Sequence, residues 1–229
     1  MFELLLIAIA LIGSFAAGIY DLKTTNIPDK VCIAMIILGI IIHALNGFLT
    51  NDFTTLLNSL FFAGIFLIIG LVMYYAGWWG GGDGELLIAI GILLPTLSFV
   101  KTQFPFAISF FINTWFIGAI YSVIYVIILA CKDKEIGKGF FDRIRILLTK
   151  GYYRKIHVRK LKTDDMIGEN IPRLKIYKRL IRGLTKEEVR KIKKIRKYVI
   201  IKEGIRYGIV FPLTLLFTLL FGDFLFFLF

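Results

Sequence analysis

The chain has 229 residues, 58% of them hydrophobic, with a mean hydropathy of +0.78 and a formal net charge of +12. A soluble domain carries about half apolar residues, and here the excess is gathered into long runs, which excludes an ordinary soluble globule. In lipid the backbone must satisfy its own hydrogen bonds, so runs of about 20 apolar residues without alternation point to membrane helices rather than a barrel.

Six such runs are predicted, over residues 2–20, 31–49, 55–77, 85–100, 104–131 and 207–229. The first carries Glu3 and lacks the basic residues that precede the apolar stretch of a cleaved signal, so it reads as a retained span. His43 lies in the second run with no His or Cys at ligand spacing, and reads as a hydrogen-bonded structural residue. The fourth run is short and holds Pro95, so its far end is expected to be irregular. The fifth is long enough to tilt. Cys32 and Cys131 sit at span edges, form no C-x-x-C pair and read as small buried thiols; neither a metal nor another cofactor is expected.

Residues 132–206 carry 25 of the 28 Lys and Arg but nine of the sixteen acids, a net +16. The pattern predicts a small basic α+β domain. Residues 139–148 mix Phe140, Phe141, Ile144 and Leu147 with Arg143 and Arg145, as a surface-lying helix does. Strands are expected over 154–161, 173–181 and 197–205, with a turn region over 164–172. Thr185 followed by Glu188 is a capping box opening a helix over 184–197. Anionic lipids are the expected partner of this charge. No nucleic-acid-binding motif accompanies it, so no nucleic acid is expected. Asp164, Asp165 and Glu169 form an acidic island, read either as a solvated turn or as a contact for a basic segment of another chain.

The expected architecture is therefore an α-helical polytopic membrane protein. It has helices 1–5 over residues 1–131, a cytoplasmic α+β domain over 132–206, and helix 6 over 207–229. The excess of Lys and Arg marks the cytoplasmic side. With 132–206 inside, Lys23 and Lys30 also fall inside, the nearly uncharged loops around Asp52 and Lys101 fall outside, and both termini fall outside.

This topology brings two carboxylates to one membrane face. Asp21 closes the first span, and Asp83 lies in the glycine stretch "GWWGGGDGELL" between the third and fourth. Acids in membrane helices cost at least about 2.5–3.5 kcal/mol at the centre and are functional candidates. Gly80, Gly81 and Gly82 carry no side chains, so a substrate backbone can approach there as an added strand does. The glycines are also expected to interrupt the helix and admit water. Two carboxylates sharing a proton can then hydrolyse a peptide. Glu85 reads as a helix-start acid, as a leader-binding residue or as a group that tunes the pair, and Trp78 and Trp79 as interfacial anchors.

The pair "GGGD" (Gly80–Asp83) and "YDLKTTNIP" (Tyr20–Pro28) resembles the GxGD intramembrane aspartyl peptidases of the type IV prepilin peptidase group. "GLTKEEVRKIKKIRK", followed by "IKEGI" and "FP", is most similar to the C-terminal portion of archaeal preflagellin peptidases. The resemblance implies catalysis by Asp21 and Asp83. It implies as substrate a preflagellin or pilin-like precursor, whose short basic leader is removed at the cytoplasmic face. Bacterial prepilin peptidases carry a cysteine-rich zinc segment and methylate the product; with two unpaired cysteines, neither is expected here. Two alternatives belong to other classes. One is a proton- or cation-coupled transporter using the same acids; the other is a lipid-binding scaffold indifferent to Asp21→Asn and Asp83→Asn.

Overall fold

A computed structural model describes residues 2–163, 165–178 and 183–224. The chain is mostly helical and divides into two units, Met1–Tyr121 with Arg206–Phe229, and Ser122–Ile205. Among the described residues, four helices are long and apolar enough to cross a membrane: α1 (Phe2–Thr24), α2 (Asp29–Thr50), α3 (Thr54–Tyr75) and α5 (Phe106–Lys132). Runs four and six form shorter helices, α4 (Gly81–Leu93) and α8 (Val210–Phe221), the latter preceded by a 3₁₀ turn at Tyr207–Ile209. At 1.5 Å per residue α4 is only about 20 Å long. It stops because Leu94 precedes Pro95 and has left the helical region, at φ −130° and ψ 63°.

The first unit is built around α4, which packs against α1, α2 and α3. Leu86, Leu87, Ile90, Leu93 and Leu94 are fully buried on its several faces, the mark of a helix enclosed on all sides. Gly70 of α3 and Gly84 of α4 meet backbone to backbone: a Cβ on Gly84 would lie 3.3 Å from Gly70 Cα. His43 on α2 is held as expected, its Nε2–H donating to Ile92 O (3.0 Å) and Leu93 O (3.3 Å). Ser59 Oγ on α3 donates to the same Ile92 O (2.9 Å). Beyond α4 the chain is irregular through residue 105. There Ser98 Oγ donates to Glu3 at the start of α1, and Gln103 N–H donates to the Asp223 carboxylate just past α8. The starts of α1 and α5 and the ends of α4 and α8 therefore gather at one end of the unit. The end of α1 and the starts of α4 and α8 gather at the other.

The second unit contains α6 (Phe140–Lys150), β1 (Tyr152–His157), β2 (Met166–Ile167), α7 (Lys186–Ile195) and β3 (Tyr198–Glu203). Its antiparallel sheet has the order β1-β3-β2. Ile156 faces Val199 across the β1–β3 register. Both join a core with Ile167, Leu184, Val189 and Ile192. The capping box opens α7: Thr185 Oγ1 accepts from Glu188 N–H and Glu188 Oε2 from Thr185 N–H.

Several expectations are corrected here. The strand over 173–181 does not form in its described part. Pro172–Leu174 is a 3₁₀ turn and Ile176 makes only an isolated bridge to Ile171; residues 179–182 lie outside the described segments. The third strand is instead β2, inside the stretch read as a turn. The strand begun at Arg154 starts two residues earlier and ends at His157, where a 3₁₀ turn follows. Cys32 is buried as expected, but Cys131 is exposed.

Candidate active site

Asp21 lies in the last turn of α1 and is 6% exposed. The helix ends just beyond it, where Thr25 N–H closes on Asp21 O (2.7 Å) and Thr25 turns left-handed at φ 61°. The chain then drops Ile27, 3% exposed, against the start of α4. A Cβ on Gly82 would lie 2.7 Å from Ile27 Cβ, so the glycine is what lets this corner close. The Ile27-Pro28 pair thus has a physical role: Ile27 brings the end of α1 to the start of α4, and Pro28 caps α2 in an extended conformation.

Asp83 is the third residue of α4, and its Oδ2 accepts the Gly80 N–H (2.9 Å). An acid in the first turn is favoured by the unpaired N–H groups there. The expectation of an interrupted helix is corrected at this point, because Gly81, Gly82 and Gly84 lie inside the first turns of a regular helix. Their smallness serves close packing instead. Gly82 meets Ile27 and Gly84 meets Gly70, whereas Gly80 and Gly81 remain exposed.

The helices α1 and α4 pack together, and the two carboxylates are near enough for the Asp21 charge to act on Asp83. Each carboxylate is anchored through Oδ2 by one backbone N–H, Asp83 by Gly80 and Asp21 by Gly208 (2.9 Å). Among the described residues no hydrogen bond engages either Oδ1. Glu85 lies two residues further along α4, on the opposite side of the helix; its Oε2 is buried and makes no hydrogen bond among the described residues. The Asp29 charge acts on Glu85, and the charges of Glu85, Asp29 and Asp83 all act on the buried Cys32.

The two tryptophans part company. Trp78 is 69% exposed, whereas Trp79 turns inward to stack on Trp115 (6.2 Å) and pack against Tyr207 (5.8 Å) and Phe211 (5.9 Å). The acidic island belongs to the other unit. Asp165 closes a turn by accepting Lys162 N–H (2.7 Å), and Glu169 accepts from Ile200 N–H (2.9 Å) and Arg196 (3.3 Å). Asp164 lies outside the described residues.

Three residues at the site were not found from the sequence: Arg206, Tyr207 and Gly208. Arg206 Nη1 donates to Leu22 O (2.5 Å) and its charge acts on Asp21. Tyr207 feels the charge of Asp83 and donates its hydroxyl to Thr114 O (3.1 Å). One signal was available: Gly18 lies one turn before Asp21, and a small residue there marks a close backbone approach.

The sequence pattern that describes the type IV leader peptidase family matches residues 7–123, just over half of the chain. The chain belongs to the type IV leader peptidase family. The matched segment holds both aspartates and the whole corner that joins them. Among curated relatives, a preflagellin peptidase of Methanocaldococcus jannaschii is 36% identical over 84 residues, 37% of this chain and 36% of that protein. One from Methanococcus voltae is 34% identical over 92 residues, 40% and 39% of the respective lengths. One from Methanococcus maripaludis is 28% identical over 178 residues, 71% and 74%. The match thus spans little more than a third of the first two relatives and about three quarters of the third.

Proposed function

We propose that this member of the type IV leader peptidase family is a membrane-embedded aspartyl endopeptidase, with Asp21 and Asp83 as its catalytic pair. The observation that carries the reading is that two carboxylates on the packed helices α1 and α4, near enough for the charge of one to act on the other, are each held through Oδ2 by a backbone N–H. Fixed in this way, the pair presents two Oδ1 atoms to a peptide and a water. The ionised carboxylate takes a proton from water as the water oxygen attacks the scissile carbonyl carbon. The protonated one donates a hydrogen bond to the carbonyl oxygen. Collapse of the tetrahedral intermediate breaks the C–N bond, and a carboxyl proton passes to the leaving amine.

The names of these relatives point to preflagellin as substrate, and the resemblance of the motifs extends the reading to a pilin-like precursor. Its basic leader would be cut at the cytoplasmic membrane face. Charge asymmetry supports that side, since residues 132–206 carry the basic excess. The exposed Gly80 and Gly81 offer a backbone edge for the substrate, and Glu85 a carboxylate for a basic leader residue. Six passages remain our reading of the topology, with the short α4 and α8 completed by their extended flanks. The basic domain would rest against anionic lipid.

The test uses membranes containing the full chain and a precursor with a basic leader. Asp21→Asn and Asp83→Asn should each lower cleavage by at least roughly 100-fold at unchanged expression. Wild-type cleavage in both variants would remove the pair from the mechanism. Proton-linked flux in vesicles without a peptide product would favour a transporter instead.

A further inference from the structure

Asp21 ends a helix, and among the described residues nothing on α1 bonds its carboxylate. Its orientation depends on chain 187 positions away, where Gly208 N–H donates to Oδ2. The approach is possible only because Gly208 and Gly18 carry no side chains. A Cβ on Gly208 would sit 2.9 Å from Asp21 Cβ and 3.0 Å from Oδ2. A Cβ on Gly18, one turn earlier on α1, would sit 3.0 Å from Gly208 O and from Ile209 Cα. The backbone at Gly208 therefore lies directly on the face of α1 that carries Asp21.

The same turn is tied down on either side. Arg206 Nη1 donates to Leu22 O (2.5 Å), one of the last carbonyls of α1, which have no partner within the helix. From α5, Tyr121 donates its hydroxyl to Arg206 O (2.9 Å) and Thr114 O receives the Tyr207 hydroxyl (3.1 Å). Gly118, between them, makes room for Tyr207: a Cβ there would overlap the Tyr207 hydroxyl.

We propose that Arg206 and Gly208 are positioning residues that clamp the Asp21 carboxylate in its reactive orientation, Gly208 through its amide and Arg206 by tying the turn to the end of α1. The proposal rests on Asp21 being catalytic. The clamp acts on the chemical step rather than on substrate capture, since neither group needs to touch the substrate. Small misplacements of a reacting group cost on the order of 100-fold in rate.

The experiment measures cleavage of a precursor peptide with a basic leader by the purified full-length protein, with Asp21→Asn and Asp83→Asn in the same series. Arg206→Ala and Gly208→Ala should lower kcat about 10- to 100-fold and leave KM within about two-fold. The thermal midpoint of Arg206→Ala should match the unsubstituted protein, whereas Gly208→Ala, whose added methyl group crowds Asp21, should also lose stability and is read only through kcat against KM. Arg206→Lys, which keeps a charge and a donor, should restore part of the loss. Should Arg206→Ala fail to fold, Arg206→Met keeps most of the apolar stem while removing both the donor toward Leu22 O and the charge, and gives the same reading of kcat. Unchanged kcat in the folded Arg206 and Gly208 variants, with Asp21→Asn inactive, overturns the clamp and leaves the catalytic pair standing. So does a fall in kcat of the Arg206 variants accompanied by an equal loss of thermal stability. Activity in Asp21→Asn overturns the pair, and the clamp with it.

Discussion

At position 91 a missing methyl group decides how two helices pack. Gly91 faces the ring of Phe66, which has no exposed surface, and a Cβ there would lie 2.4 Å from Cδ2 and 2.7 Å from Cε2. The ring cannot swing away, because Phe111 of α5 lies against it with centroids 5.8 Å apart. Gly91→Ala should therefore cost about 1–3 kcal/mol, the range for overfilling a packed core. Gly64 is the matched control, on the same helix as Phe66 but with nothing within 4 Å of its would-be Cβ. Thermal unfolding in detergent or lipid should show a lowered midpoint for Gly91→Ala and none for Gly64→Ala. Equal midpoints would mean that the ring accommodates the methyl group and that this packing is looser than the geometry states.

One element, α4, concentrates most of what the fold demands: enclosure on several faces, a catalytic candidate at its start and a forced stop before Pro95. Its last carbonyls are not left bare, because His43 and Ser59 converge on Ile92 O from α2 and α3. Removing one donor leaves the other on Ile92 O, so Ser59→Ala alone should be mild, whereas His43→Ala also frees Leu93 O and leaves a gap in the core and should cost more by itself. Removing both strands a buried acceptor, which costs about 1–3 kcal/mol. A double-mutant cycle should then show a coupling of at least roughly 0.5 kcal/mol, the pair losing more than the sum; strict additivity would contradict the shared role. The same element shows what can be read from residues alone. Its apolar content, the break at Pro95 and the odd acid at Asp83 are local facts, as is the Thr185–Glu188 cap of α7. Which face of α4 meets which helix is not local. Gly82 and Gly84 looked like breakers by propensity, yet tertiary contact with Ile27 and Gly70 keeps them helical. Likewise the alternation after Arg173 resembled a strand, but β3 takes its second partner at Met166–Ile167 instead. Arg206 and Gly208 were invisible for the same reason: their importance lies in Asp21, nearly the whole chain away.

Across the whole molecule, charge and length give separate arguments about how the chain crosses the membrane. Length alone qualifies four helices, and α4 at about 20 Å falls short of a hydrocarbon core of about 30 Å. Connectivity favours a full passage nonetheless. The start of α4 lies with the end of α1, whereas its far end runs into the loop that meets Glu3 and Asp223. Together with the basic excess of residues 132–206, this puts Thr25 and Lys150 inside and Asn51 and Lys101 outside in the proposed topology. Each of these positions is exposed and suits a single introduced cysteine. The exposed Cys131 is first replaced by serine, while the buried Cys32 can stay. A membrane-impermeant maleimide added to intact cells should label Asn51→Cys and Lys101→Cys, and reach Thr25→Cys and Lys150→Cys only after permeabilisation. Full reversal would invert the orientation and move both aspartates to the outer face, away from a leader in the cytoplasm. Labelling of Asn51→Cys with protection of Lys101→Cys would mean that α4 turns back without crossing. In that case α5 would carry the basic domain to the outer side and Lys150→Cys would label too. The four positions read together thus separate six passages from a re-entrant α4.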